Sequence, residues 1–546
     1  MPSIEDNIAD RAVDRWVRTG HGDRVALRAL HADGSRRDVT YAELGDLTDR
    51  FADVLAERDI GPGDVVCVLL GREVSCVVAI VGALKRGCIV SPLFTSFGPD
   101  PIRARLELGR AAALVTSPAL FTTKIAPWRD ELRDLRHVIV TGDRTTQPLG
   151  TIALEPALDA AHRDRPTVPV DADDLALLLF TSGTTGMPKG ALHAHALADT
   201  IVATAHHVLG VRERDRTWCT ADPGWVTGLS YGILAPLLCG ATALLDPTEI
   251  DPAHWYAVLA DEDVAIWYTS PTAMRMLMRA GPAVPGIDRP RPRLRVAATA
   301  GEPLDPAVME WAEHHLGVQL HDTWWQTETG AIVIGNPVGE PVRPGSMGRP
   351  LLGVDVRLAR CDEEGAPAHT ATGEVELFDG PGVGMLMLAA SMRSLFRGYL
   401  GDEDRYVACF ATGGGASWYL TGDLVRRDED GWCWFIGRAD DVIKSSGHLI
   451  GPSEVERVLD EHPAVVESAV YGVPDAIAGS VVHAVVVLAP DATDLAAIRA
   501  SILGYARRRL GAAVAPRRIL VVGEIPRTSS GKTLRRVLRE RDTPPS

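Results

Sequence analysis

Short apolar runs recur along this chain, and stretches with helical spacing of apolar residues separate many of them. Val65–Leu70, Leu175–Phe180 and Val481–Leu488 have the length and composition of strands buried on both faces. Ala42–Glu57 and Val74–Lys85 place apolar residues every three to four positions, the period of one helix face. Parallel neighbours in a sheet need a crossover connection, usually a helix, so this alternation specifies an α/β fold with largely parallel sheets. No fixed-period repeat interrupts it.

At 546 residues the chain is too long for a single core, and at least two domains are expected. The run Gly437-Arg438-Ala439-Asp440-Asp441 follows the apolar WCWFIG and reads as a connection. Beyond it the pattern restarts with a helix over Pro452–Glu461, strands, and a helix over Ala496–Leu510. The expectation is a large N-terminal multi-sheet α/β domain over 1–439 and a small mobile α+β C-terminal domain over 440–546. Gly380-Pro381-Gly382-Val383-Gly384 reads as a loop.

Composition narrows the function. Hydrophobic residues make up 46% of the chain and charged residues 23%, values of a folded globular protein. Lys and Arg total 56 against 72 Asp and Glu, a net charge of −16. That balance argues against nucleic-acid or membrane-surface partners and leaves small anionic substrates, held by a few aimed groups. The eight cysteines at 67, 76, 88, 219, 239, 361, 409 and 433 contain no Cys-x-x-Cys pair. They read as buried free thiols of a reducing compartment rather than a zinc or disulfide framework. The polar start MPSIEDNIADRAVDRW lacks the apolar core of a signal peptide, and no apolar run reaches membrane-span length. Cytoplasmic location is expected.

The strongest chemical signal follows the run Leu175–Phe180. It is Thr181-Ser182-Gly183-Thr184-Thr185-Gly186-Met187-Pro188-Lys189-Gly190, with a helix-like stretch from about Ala194 to Val208 next. Glycines let backbone approach an anion, hydroxyls and amides donate to phosphate oxygens, and Lys189 adds a point charge. The Gly-x-x-Gly-x-x-Lys spacing differs from a Walker A loop.

Phe180–Gly190 closely resembles the phosphate loop of the adenylate-forming superfamily, which includes acyl-CoA synthetases, luciferases and peptide-synthetase adenylation domains. Further matching segments come in the same order: Thr40-Tyr41-Ala42-Glu43-Leu44, Trp324-Trp325-Gln326-Thr327-Glu328-Thr329-Gly330, Trp418-Tyr419-Leu420-Thr421-Gly422-Asp423, Phe435–Asp441 and Pro526–Lys532. Within the superfamily, Thr220–Gly228 and His321–Gly330 most resemble acetyl-CoA synthetases.

The resemblance implies two half-reactions. A short carboxylic acid, acetate or propionate, attacks the α-phosphorus of ATP; the coenzyme A thiol then takes the acyl group and AMP leaves. Positioning and electrostatics suffice for such chemistry, and the sequence offers no Ser-His-Asp or Cys-His nucleophile. By resemblance, Thr181, Ser182, Gly183, Thr184, Thr185, Gly186 and Lys189 clasp the ATP phosphates. Glu328 with Thr184 holds Mg²⁺, while Gly301, Glu302 and Pro303 with Asp322, Thr323 and Trp324 form the adenine pocket. Trp325, Gln326 and Thr327 belong to the same nucleotide set. Asp423 accepts from the ribose hydroxyls, helped by Arg438. Lys532 bridges the carboxylate and the α-phosphate, and Asp440 is the hinge of the small domain.

Gly447, Arg507 and Phe94 serve coenzyme A, and Val226, Thr227, Ala300 and Trp325 line the acyl pocket. One position departs from the pattern. Two residues beyond Ser446-Gly447 relatives carry an arginine, and this chain has Leu449. That is the one feature favouring a different acceptor, a carrier-protein thiol or an amine.

These roles separate the half-reactions. Lys532→Ala should abolish acyl-adenylate formation and leave thioester formation from pre-made acyl-adenylate largely intact. Single-turnover measurement of each half-reaction checks this, and equal losses in both would make Lys532 structural.

Overall fold

The computed structural model describes all residues except 1, 163–165, 183–187, 352, 363–365, 446–447, 476–478, 490–493, 512–513, 528–532 and 543–546. It divides into two compact units, one of Met1–Gly353 with Ser391–Ala408, the other of Val354–Ala390 with Cys409–Ser546.

Two large sheets dominate the first unit among the described residues. In the eight-stranded sheet, Leu175–Ser182, Ile89–Pro92, Val65–Leu69, Ala113–Thr116, His137–Val140 and Ile152–Ala153 run parallel in that order. Pro188–Ala194 and then Gly398–Tyr399 extend its edge antiparallel. The seven-stranded sheet orders Leu320–Thr323, Val296–Ala300, Ile266–Thr269, Arg216–Cys219, Thr242–Leu245 and Val25–Leu30 in parallel, with Arg36–Thr40 antiparallel at the edge.

Local chemistry explains the helices that cover them. Helix Tyr41–Ala56 begins at a reciprocal capping box: Thr40 Oγ1 accepts from Glu43 N–H, and the Glu43 carboxylate accepts from Thr40 N–H. It packs tightly on helix Val74–Lys85 at Gly82, where a Cβ would lie 2.8 Å from the Phe51 ring and 2.9 Å from the Thr48 carbonyl. Lys85 ends that helix with its side chain fully buried and its ammonium 2.5 Å from carboxylate oxygens of both Asp14 and Asp49. The two carboxylates offset the cost of burying the cation. Lys124 caps backbone instead, donating to the carbonyls of Thr95 and Phe97 at 2.7 Å each.

The densest part of the core is aromatic. Trp218 and Trp267 face each other on adjacent parallel strands and stack with centroids 5.9 Å apart. Trp255, from helix Pro252–Asp261, meets Trp218 edge-on at 5.4 Å. Offset and edge contacts of this kind suit the ring quadrupole.

The second unit holds a six-stranded antiparallel sheet and a five-stranded mostly antiparallel one among the described residues. In the first, Ala416–Arg427 lies between Gly382–Ala389 and Phe410–Gly413 and also pairs with Cys433–Arg438. In the second, Val465–Asp475, Gly479–Leu488 and Arg518–Val521 are covered by helices Pro452–Asp460 and Leu495–Leu510, an α+β arrangement.

Two sequence expectations need correction. The segment after the phosphate loop is strand Pro188–Ala194, and the helix starts only at Leu197. Backbone pairing with Leu175–Ser182 claims those residues first. The presumed loop 380–384 is a strand from Gly382 onward; at Gly384 a Cβ would lie 2.5 Å from the Ala359 carbonyl, so glycine permits the pairing. The position between 439 and 440 lies inside the second unit, just after Cys433–Arg438. None of the eight cysteines is in a disulfide, and six of them are buried. No helix among the described residues is long and apolar enough to cross a membrane.

Trp267→Ala empties the centre of the aromatic cluster and should destabilise the first unit by about 3–5 kcal/mol. The check is the urea midpoint followed by near-UV circular dichroism. A loss under about 1 kcal/mol would mean that the neighbouring indoles collapse into the space.

Candidate active site

The loop of the sequence motif is bracketed by an antiparallel hairpin. Thr181 pairs with Lys189 and Ser182 with Pro188, so the two ends of the motif sit side by side. Gly183, Thr184, Thr185, Gly186 and the side chain of Ser182 lie outside the described residues. Lys189 extends over the ring of Tyr399, its Nζ 5.7 Å from the centroid, a cation–π contact.

Tyr399 ties this hairpin to Glu328. Its strand pairs with Pro188–Ala194, and its hydroxyl donates to Glu328 Oε1 at 2.7 Å. The Glu328 carbonyl in turn accepts from Phe396 N–H at 2.8 Å. His193, buried on the hairpin strand, reaches the carbonyls of Thr327 at 2.8 Å and Ser394 at 3.2 Å. Burial lowers its pKa to about 4, so the ring is neutral and donates its one N–H to one of them. Gly330 must be glycine: its φ is +66°, and a Cβ would lie 3.0 Å from the His193 ring. Glu328 is thus fixed at carboxylate and backbone. Among the described residues no cluster of three or more His, Cys, Asp or Glu forms a protein-only metal cage. One rigid carboxylate beside a phosphate loop fits Mg²⁺, which takes most of its ligands from phosphate oxygens and water.

The expected adenine residues lie at the carboxyl ends of parallel strands. Asp322 and Thr323 close strand Leu320–Thr323, and Ala300 closes the neighbouring strand opposite Thr323. Gly301 turns the chain there with φ +95°, leading to exposed Pro303. The Glu302 carboxylate is held by Thr272 and Arg275. Asp322 is buried and accepts from Thr299 Oγ1 and Thr323 N–H. Burial nonetheless pushes its pKa up to about 7. The unfolded chain ionises this carboxyl near pH 4, so its contribution to stability falls as pH rises from about 4 to about 7.

Trp324 is buried and bridges to Ile334, while Gln326 caps the short turn Thr327–Thr329. Trp325 is half-buried and packs edge-on against Tyr231, 5.2 Å between centroids. Tyr231 stands one turn beyond Thr227 in the wide helical segment Gly228–Leu234, which Val226 and Thr227 introduce. Phe94 is half-buried against Phe97 and Trp225.

The second unit positions a separate group. Asp423 and Arg438 face each other across paired strands, Arg438 Nη1 donating to Asp423 Oδ1 at 3.0 Å. Asp423 is buried, Arg438 exposed, and Arg438 also donates to the Thr421 carbonyl. Asp440 is exposed, with its carbonyl accepting from Arg539. Arg507 is exposed on helix Leu495–Leu510. Gly447, Lys532 and the side chain of Leu449 lie outside the described residues.

Comparison with known proteins gives the class. The AMP-binding enzyme family matches residues 13–388, and the C-terminal domain of AMP-binding enzymes matches 454–532. An acetyl-coenzyme A synthetase of Bacillus subtilis (strain 168) is 35% identical over 98% of this chain and 90% of its own. Acetyl-coenzyme A synthetase 2 of Pseudomonas aeruginosa is 34% identical over 98% of this chain and 84% of its own. The crystal structure of a Brucella canis acyl-CoA synthetase superposes with TM-score 0.72 at 35% identity, covering 98% of this chain and 94% of that one. An anthranilate CoA ligase in complex with anthranoyl-AMP gives TM-score 0.84 at 26% identity, covering 98% and 97%. This chain belongs to the AMP-binding enzyme family, the adenylate-forming enzymes.

Nothing in the sequence pattern marks Tyr399, Tyr231 or His193; the family motifs skip them. Tyr399→Phe removes one hydrogen bond to a carboxylate, a contact of about 1.5–3 kcal/mol. It should weaken ATP binding in the presence of Mg²⁺ about tenfold by calorimetry. Unchanged affinity would reduce Tyr399 to packing.

Proposed function

We propose that this protein is an AMP-forming acyl-CoA synthetase for short carboxylic acids, with acetate and propionate as best substrates. The observation that carries the reading is Trp325, a half-buried indole held against Tyr231, in a chain 35% identical to an acetyl-coenzyme A synthetase. A buried methylene is worth only about 0.8 kcal/mol, so attraction sorts acids poorly. A rigid indole sorts them by overlap instead. Val226, Thr227 and Ala300 form the remaining wall, and the small Ala300 leaves room for propionate.

In the first half-reaction the acid's carboxylate attacks the α-phosphorus of ATP and pyrophosphate leaves. The residues 181–189 grip the phosphates, and Lys532 neutralises the two approaching anions together. Glu328 and Thr184 would hold Mg²⁺, which would supply charge neutralisation for the phosphates when bound. Asp423, its carboxylate oriented by Arg438, accepts from the ribose hydroxyls, and the turn from Gly301 to Pro303 with Asp322 and Thr323 flanks the adenine. In the second half-reaction the small domain turns about Asp440. The coenzyme A thiol passes Gly447, attacks the acyl carbonyl and displaces AMP, while Arg507 and Phe94 hold the rest of coenzyme A. The cytoplasm supplies all of these substrates.

The reading is tested by mixing protein, ATP, Mg²⁺ and acetate, adding coenzyme A, and measuring pyrophosphate, AMP and thioester. AMP and thioester in equal amounts support it; pyrophosphate release without thioester assigns another acceptor. Across a straight-chain acid series, kcat/KM should peak at acetate and propionate, with hexanoate nearly inert. Trp325→Gly should move the optimum to about five to eight carbons. A wild-type preference for hexanoate, or an acetate optimum in the variant, would remove Trp325 as the pocket floor.

A further inference from the structure

The Trp325 indole is tethered as well as packed. Its Nε1–H donates to the Tyr268 hydroxyl at 3.0 Å. That hydroxyl is 2.7 Å from Thr323 Oγ1, which lies 2.7 Å from the Thr299 carbonyl. The direction of this chain is fixed. A carbonyl only accepts, so Thr323 O–H donates to Thr299; Thr323 must then accept from Tyr268, whose hydroxyl accepts from the indole. Each hydroxyl gives one hydrogen and takes one. The anchors sit on three adjacent parallel strands, at residues 268, 299 and 323. Tyr268 is 2% exposed, so its hydroxyl has no bulk water as a substitute partner. Its ring is also clamped edge-on by Tyr231, at 5.5 Å.

From this geometry we infer that Tyr268 is a positioning residue for acid selection: through its hydroxyl it locks the indole of Trp325 to the sheet and keeps longer acids out. The inference rests on the reading of Trp325 as the floor of the acyl pocket. An indole held by packing alone can rotate or recede when an extra methylene presses on it. One that also donates a hydrogen bond to a sheet-anchored phenol must break a buried contact to do so. The selectivity assigned to the tryptophan is therefore shared with a tyrosine 57 positions earlier in the chain.

The test is kcat/KM for acetate, propionate, butyrate and hexanoate with wild type, Tyr268→Phe, Trp325→Gly and the double variant. Tyr268→Phe should raise the butyrate-to-acetate ratio about five- to tenfold while the KM for ATP stays within about twofold. In the Trp325→Gly background the same substitution should change the ratio less than about twofold, because no indole remains to hold. An unchanged ratio in Tyr268→Phe, or equal shifts in both backgrounds, overturns the inference. If Trp325→Gly itself keeps the wild-type acid profile, the pocket reading fails instead. If Tyr268→Phe does not fold, the wild-type protein decides through its tryptophan indole N–H resonances, with Trp325 assigned by substitution. Slow hydrogen exchange of the Trp325 proton supports the tether, and exchange at the rate of free indole overturns it.

Discussion

Parallel strand pairing is the constraint on which the first unit depends. Six neighbouring strands of its seven-stranded sheet run the same way, so their carboxyl ends share one edge. Along the strands the residues are apolar and buried, as in Ile266-Trp267-Tyr268 and Val296-Ala297-Ala298. At the ends the side chains turn polar: Thr269, Thr299, Asp322 and Thr323. Open parallel sheets bind ligands at that edge because it is where backbone and side-chain groups emerge from the core. Tyr268, Ala300, Thr323 and Trp325 are neighbours for this reason, although they lie far apart in sequence.

The second sheet supplies a different kind of control. The edge strand Gly398–Tyr399 connects the phosphate hairpin to Glu328 through one backbone pairing and one phenol hydrogen bond. Exposed ion pairs such as Arg103 with Glu131 contribute little, since water competes for both partners. The bond from Tyr399 to Glu328 is worth more because the tyrosine is nearly buried.

Periodicity made the elements legible where the chain answers to its own neighbours. Helix Val74–Lys85 has the bounds its apolar spacing predicts, and helix Leu495–Leu510 begins one residue early at an Asp494 cap. Strand Pro188–Ala194 was obscured because its residues continue the apolar spacing of the helix beyond it, and only pairing with Leu175–Ser182 decides between the two. The site residues divide similarly. Glu328 and Asp423 stand in recognisable motifs. Tyr268, Tyr231 and Tyr399 act on partners 57, 94 and 71 positions away, respectively, and no local pattern encodes such a choice. Lys532 is legible as a motif alone, since charge and spacing do not distinguish it from any other lysine beside serine and glycine.

The chain contains five lysines against 51 arginines. Lys85 is sealed between two aspartates, and Lys124 spends its ammonium hydrogens on backbone carbonyls. Of the other three, Lys189 and Lys532 belong to the sequence motifs themselves, and Lys444 stands just ahead of Ser446-Gly447. An enzyme that makes acyl thioesters bathes in its own acylating agent, and free amines are what such agents modify. A guanidinium stays protonated and does not compete as a nucleophile. A surface whose positive charge is almost wholly arginine keeps its charge, and with it its ion pairs, in the presence of the product.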